Sequence, residues 1–307
     1  MSTKVNNFKK THSINSWLNL IFSVAIVVGV FLGVVINLLA MPNELVEEVG
    51  AKTFRMYTVL SNMLVGVSAA MTLPFAVDGI RQKNYHLPRW IVNFTFISTT
   101  CVTLTFIISL LVLSPYAGIQ SGGLLEGFYR MMGSGSNLFL HTLVPIATII
   151  TFLFINTYHT VKFRTIFFSL IPILMYAIVY LISAIFIGKE NGGWRDHYHF
   201  NEFIPWYFVF IIIFALAFGL GVLIRSVHNR MHKRDKIATE EYYKNAPEYN
   251  CPTIEEAIKK LAQENKQYDK GGEIIVPRRI IKFWENKYQS NKPLSELCNI
   301  YIDEYTT

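Results

Sequence analysis

Apolar residues in this chain gather into six long runs, at 17–40, 54–74, 90–113, 137–156, 163–187 and 203–224. A bilayer core needs about 20 apolar residues per helical crossing, so each run predicts a transmembrane helix. The first run exceeds a signal-peptide core and has no clear small-residue cleavage site after it, so it reads as a helix too. From about residue 227 the pattern turns polar. The predicted fold is an all-α integral membrane protein: a tail at 1–15, one six-helix bundle at 16–226 and a small cytosolic appendage with some helix at 227–307. Within the appendage, Thr253-Ile-Glu-Glu256 fits a capping box, with Ile254, Ile258 and Leu261 on one face of the helix it opens. Between the third and fourth runs, Leu124, Leu125, Phe128, Met131 and Met132 form the apolar face of a short interfacial helix, or belong to a re-entrant or packed loop.

Composition supports this reading. Charged residues are 16% of the 307, against roughly 25% in soluble domains, and mean hydropathy is +0.33. Disorder, collagen and a nucleic-acid-binding globule fit poorly. Three cysteines, Cys101, Cys251 and Cys298, do not make a disulfide scaffold, and a membrane span and a reducing compartment predict no bridge among them. The net charge of +7 resolves into an orientation. Thirteen Lys and Arg fall on the N-terminal side of the bundle or directly after its last helix, and five (Lys52, Arg55, Arg130, Lys189, Arg195) on the other. The cationic side faces the cytoplasm, so the expectation is a multi-pass cell-membrane protein with both termini cytoplasmic. The basic start of the tail, 225–236, would then lie against anionic headgroups.

Polar groups inside the spans carry the chemistry, because they are costly in hydrocarbon and turn toward the bundle interior. The second run opens Phe54-Arg-Met-Tyr-Thr-Val-Leu-Ser-Asn62, which puts Arg55, Thr58 and Asn62 on one helical face. The fourth opens Asn137-Leu-Phe-Leu-His-Thr-Leu-Val-Pro145, with Asn137 and His141 one turn apart and Pro145 predicting a kink beside the histidine. Both runs enter from the outer side. Thr58 and His141 therefore lie at one depth, roughly 6 Å inside the boundary. Tyr176, Tyr180 and Ser183 reach the same level in the fifth run, and the loop after it adds Trp194, Arg195, Asp196, His197 and His199.

A threonine hydroxyl becomes a nucleophile when a base adjoins it, and a histidine in a partly dry site is a suitable base. Asn62, Asn137, Tyr176 or Tyr180 would orient the histidine or donate to an oxyanion, and Arg55 would bind a carboxylate or phosphate headgroup. A site at the headgroup boundary suits an amphiphilic ester, whose chain stays in lipid while the ester meets water. Phe54-Arg-Met-Tyr-Thr58 and Leu140-His-Thr-Leu-Val-Pro145 resemble the two signature segments of the androgen-induced-protein family of multispan membrane proteins and its bacterial relatives of unknown role. The Tyr-Thr-x-x-Ser-Asn setting around Ser61 and Asn62 is closer to the bacterial branch. The animal members hydrolyse fatty acid esters of hydroxy fatty acids. The resemblance, which spans roughly residues 16 to 226, implies that Thr58 is the nucleophile and His141 its partner. The segment Trp194-Arg-Asp-His-Tyr-His-Phe-Asn-Glu202 departs from the family, lacking its Tyr-Pro-rich stretch, and leaves substrate choice open.

Other readings use the same residues. Thr58 bonding its own helix, Arg55 snorkelling to headgroups, and Tyr176 and Tyr180 as packing residues are the bland ones. A sensor, transporter or lipid-binding module would use the same polar pocket without turnover; no internal repeat of the transporter kind is evident. Asp196, His197, His199 and Glu202 invite zinc, though a short exposed loop more often solvates such groups. No metal site and no cofactor is predicted. The polar run of the third span, Asn93 to Thr105, reads as helix packing. The expected partners are membrane lipids and an amphiphilic ester, not nucleic acid; the sequence leaves oligomeric state open.

Overall fold

The computed structural model describes residues 2–40, 50–82, 87–157, 159–196, 198, 205–245, 274–276 and 300–302. Six helices are long and apolar enough to cross a membrane: Ile14–Leu39, Tyr57–Arg81, Arg89–Gln120, Gly135–Ile155, Arg164–Ile187 and Trp206–Arg234, here spans one to six. The chain is an all-α, multi-pass membrane protein. Among the described residues its β structure is one parallel pair of three-residue strands in the tail, Ile274–Val276 beside Ile300–Ile302. The capping box at Thr253 and the apolar face of Ile254, Ile258 and Leu261 lie outside the described residues. Span six belongs to a helix that runs from Trp206 to Asn245 without a break at residue 227. The change from apolar to polar side chains alters what surrounds the helix, and the helix-forming residues that follow let the backbone continue.

Span three sits at the centre. In its most apolar window 56% is buried, against 22% in spans five and six. Around it, Phe96, Phe152, Ile166 and Leu87 pack at one end of the bundle, and Cys101, Leu104, Ile173 and Ala217 pack further along. Phe31, Leu111, Met175 and Ile211 are exposed, the arrangement expected where lipid is the outer solvent. Serine and threonine hydroxyls of span three bond carbonyls three or four residues back in the same helix, as Thr99 and Thr103 do. Others tie helices together: Ser61 to Thr105 at 2.9 Å, Ser68 to Thr95 at 2.9 Å, Ser23 to Thr72 at 2.8 Å. Span three's polar run thus packs helices, as its composition predicts.

Two local features build the site. Span three continues past its predicted end to Gln120 and turns at Gly122, whose φ is +85°. The chain then returns as the helix Leu124–Phe128, continued by a π-helical turn Tyr129–Gly133. The two arms touch backbone to backbone, since a Cβ on Gly127 would lie 2.3 Å from the Gly118 nitrogen and the Ser114 carbonyl oxygen. The segment between spans three and four is therefore a tight helical hairpin, with Leu124 and Leu125 exposed. In span four, Leu138–Leu143 is wound as a π-helical turn instead of carrying a simple kink. Pro145 has no N–H, so the His141 carbonyl loses its α-helical donor and the Leu140 carbonyl its π-helical one.

Candidate active site

Thr58 is the second residue of the helix Tyr57–Gln82. Its hydroxyl oxygen lies 3.2 Å from Nε2 of His141. The other ring nitrogen, Nδ1, lies 2.7 Å from the carbonyl oxygen of Met131. A carbonyl accepts only, so Nδ1 carries the hydrogen and donates. In the neutral ring that leaves a lone pair on Nε2, which accepts from the Thr58 hydroxyl. The Met131 carbonyl is open because it belongs to the last turn of the hairpin's second arm, where helical carbonyls run out of partners. Its neighbours are treated alike: the Met132 carbonyl accepts from Thr142, and the Arg130 carbonyl from Ser134 and Asn137. The end of one helix thus fixes the tautomer of the histidine in the next. Thr58 keeps 9% of its surface exposed and His141 6%, so the pair is dry but not sealed.

Asn62 joins the two segments. Its Nδ2 donates to the Thr58 carbonyl at 2.7 Å and to the Leu140 carbonyl at 2.9 Å, replacing the donor that Pro145 withholds. Its Oδ1 is buried without a hydrogen-bond partner among the described residues. On the far side of span four, Gly33 of span one lets the helices approach; a Cβ there would lie 2.6 Å from Leu140 Cδ2. Gly29 and Gly33 form a small-xxx-small pair of the kind that packs membrane helices closely.

Two predicted site residues sit elsewhere. Arg55 does not share the face of Thr58 and Asn62, because Gly50–Arg55 is a separate 3₁₀ turn and the helix begins only at Tyr57. Its guanidinium lies over the Trp194 ring, 5.6 Å from the centroid. Asn137 turns to the Arg130 carbonyl at 2.9 Å and so caps the hairpin rather than orienting the histidine. Tyr176 and Tyr180 both meet a third tyrosine, Tyr198. Tyr176 donates to the Arg55 carbonyl at 2.8 Å, and Tyr180 donates to Asp196 Oδ1 at 2.6 Å and accepts from the Tyr198 N–H at 3.2 Å.

Tyr198 is the residue that reading the sequence missed. Its hydroxyl accepts from the Tyr57 N–H at 3.0 Å and is hydrogen-bonded with the side chains of Tyr176 and Thr58 and with the Thr58 backbone. Burial raises its phenol above the ordinary tyrosine value, and the backbone N–H groups of Tyr57 and Thr58 that its oxygen accepts pull it part of the way back. The available signal was the row of tyrosines at 176 and 180 facing a loop with a third. Asp196 is held by Tyr180, whereas His197, His199 and Glu202 lie outside the described residues. Among the described residues no three His, Cys, Asp or Glu side chains gather as a metal site would require.

A cleft of about 440 Å³ adjoins the pair, lined by Phe54, Tyr57, Leu60, Leu64, Met175 and Val179, with Trp194 and Tyr176. Phe54, Leu60, Met175 and Val179 are exposed, so the cleft opens between spans two and five on the face that lipid would cover. Thr58 lies on the neighbouring face of span two and is not part of its lining. No family profile, curated protein or solved structure matches the chain.

Proposed function

We propose that this chain is an integral membrane hydrolase of lipid esters, with Thr58 as nucleophile and His141 as general base. The reading rests on one observation: His141 Nε2 is 3.2 Å from the Thr58 hydroxyl while Nδ1 is tied to the Met131 carbonyl. That is the nucleophile, base and orienting group an acyl-transfer site requires, with a backbone carbonyl in the orienting role. In the first half-reaction Thr58 Oγ attacks the ester carbonyl carbon and its proton passes to Nε2. The tetrahedral intermediate collapses, the C–O bond to the alcohol breaks, and His141 returns the proton to the leaving oxygen. Water then attacks the acyl-Thr58 ester and gives a proton to His141; the C–Oγ bond breaks, His141 returns the proton to Thr58 Oγ, and the carboxylic acid leaves.

The cleft supports an amphiphilic substrate. Its volume falls in the roughly 300–1,000 Å³ range of small-molecule sites, its walls are apolar, and Arg55 stands at the Trp194 rim to meet an anionic headgroup. The excess of Lys and Arg on the opposite side of the bundle supports a site at the outer leaflet of the cell membrane, with both termini cytoplasmic. The resemblance to the androgen-induced-protein family points to the same chemistry. A fluorophosphonate probe tests it. Wild type labels, Thr58→Ala does not, and His141→Ala labels slowly; equal labelling of wild type and Thr58→Ala overturns the nucleophile. A second reading, a lipid-binding sensor or transporter, is favoured by the absence of Thr58 and His141 from the cleft lining. Purified protein that retains lipid yet yields no product from a broad ester screen would establish it instead.

A further inference from the structure

An acyl-transfer site needs a fixed donor aimed where the carbonyl oxygen gains charge. We propose that Tyr198 is that donor: its hydroxyl, seated beside Thr58, stabilises the oxyanion formed when Thr58 attacks. This inference rests on the hydrolase reading above.

The hydroxyls around Tyr198 have their own hydrogens committed elsewhere. Tyr198 Oη accepts the Tyr57 N–H at 3.0 Å and bonds the Thr58 backbone and side chain. The hydrogen of Thr58 is committed to His141 Nε2, and that of Tyr176 to the Arg55 carbonyl at 2.8 Å. The single hydrogen of Tyr198 therefore goes to Thr58 or to Tyr176, and Tyr198 is the hydroxyl that can turn its hydrogen to a new oxygen. Its oxygen takes N–H groups from the first turn of span two. There the unsatisfied amides and the helix dipole concentrate positive charge. Drawing electron density from the phenol oxygen strengthens its O–H as a donor.

Hydrogen bonds to span five anchor the residue that carries this hydroxyl. Tyr198 N–H donates to Tyr180 Oη at 3.2 Å, Tyr180 donates to Asp196, and the rings of Tyr180 and Tyr198 stand 5.5 Å apart. Trp194 N–H donates to the Ser183 carbonyl at 2.8 Å, fastening the loop to span five. Such prior fixing is what makes an oxyanion donor effective, since nothing reorganises during reaction. In the step itself the Oγ–C bond forms, the carbonyl π pair moves to oxygen, and the Thr58 proton goes to His141. Tyr198 keeps its proton and donates a hydrogen bond to the new oxyanion. On collapse the pair returns, the alcohol leaves with the proton from His141, and Tyr198 again rests on Thr58 or Tyr176.

The test is turnover of a long-chain p-nitrophenyl ester by the full-length purified protein. Tyr198→Phe should lower kcat roughly 100-fold, the usual cost of one oxyanion donor, with KM within about twofold of wild type. Phe also removes an acceptor for the Tyr57 N–H, so a fluorinated tyrosine placed at 198 supplies the second measurement. It keeps the shape and the hydroxyl but makes a stronger donor, so kcat should change while the melting temperature does not. Wild-type turnover that depends on Thr58 but persists in Tyr198→Phe, or a kcat indifferent to fluorination, overturns Tyr198 alone. No turnover in wild type overturns the hydrolase reading and this inference with it.

Discussion

His141 and His228 are both buried, lie toward opposite ends of the bundle, and begin with the same device. Each gives one ring nitrogen to a carbonyl in the last turn of a helix: His141 Nδ1 to Met131 at 2.7 Å, His228 Nδ1 to Phe152 at 3.0 Å. Last-turn carbonyls have no intrahelical donor, and histidine is a natural cap for them. The second nitrogen separates the two sites. His141 Nε2 meets a hydroxyl, which both donates and accepts, so the neutral ring fits and a lone pair faces Thr58. His228 Nε2 lies 2.9 Å from the His159 carbonyl, a second pure acceptor. Both of its nitrogens thus face carbonyls, and its ring stacks on the Phe152 ring with centroids 4.3 Å apart. One histidine is placed against a hydroxyl, the other between two carbonyls. Around His228, Asn229, Arg225 and His232 also bond carbonyls of the 157–161 segment, so that end is a clamp on the chain.

Exchanging the two sites' fates is the strongest test. His141→Gln should lower kcat roughly 100- to 10,000-fold, the range for loss of a general base, with little change in melting temperature. His228→Leu should leave kcat per folded molecule unchanged. It strands two buried carbonyls and should cost about 2–4 kcal/mol of stability, read as a lower midpoint in detergent thermal unfolding. If His228→Leu removes turnover in protein that still melts cooperatively, the division between base and clamp fails.

The six spans were legible because lipid imposes one rule on them all, continuous apolarity over a fixed length. Thr58 and His141 were legible because a polar residue inside such a run stands out. What the runs do not encode is where a helix starts or who supplies the backbone partners. Arg55 looked like a face-mate of Thr58 only under the assumption that the helix already existed at Phe54, whereas a 3₁₀ turn precedes it. Asn137 was spaced correctly for His141, but the open Arg130 carbonyl of the hairpin took it first. Met131 acts through its carbonyl, which no side-chain motif records. Tyr198 lies 141 residues from Tyr57, in a loop whose histidines and carboxylates drew attention to metal chemistry.

Asn62 sharpens the comparison at the Thr58 end, where side chains bridge two helices to hold a reactive geometry. Asn62→Leu removes its donors to Thr58 and Leu140 and frees span four to shift against span two. Stability should fall by about 1 kcal/mol, typical of an interhelical hydrogen bond in a membrane protein. The kcat should fall more than that suggests, roughly 10- to 100-fold, because sub-ångström placement governs the Thr58–His141 contact. Asn62→Asp, which lacks the amide hydrogens, should resemble Leu. A kcat loss no larger than the stability loss predicts would reduce Asn62 to packing.

The smallest effect belongs to the clamp. His159 is held below the ordinary histidine value, first by burial and then by the nearby positive charges of Arg89 and His232, against an opposing hydrogen bond to the Leu87 carbonyl. A depressed histidine opposes folding once the unfolded chain takes up a proton that the folded chain resists. Its contribution is neutral above about pH 6.5 and becomes destabilising as pH falls through that value toward the lower folded one. The melting temperature of wild type should therefore drop between about pH 7 and about pH 5.5, and His159→Gln should drop less over the same interval. The pH dependence of kcat should be the same in both proteins, because His159 belongs to the clamp and the proposed base is His141. An altered rate profile in His159→Gln would mean that the two ends are coupled through the bundle. An unaltered melting slope would mean that His159 does not set the clamp's response to pH.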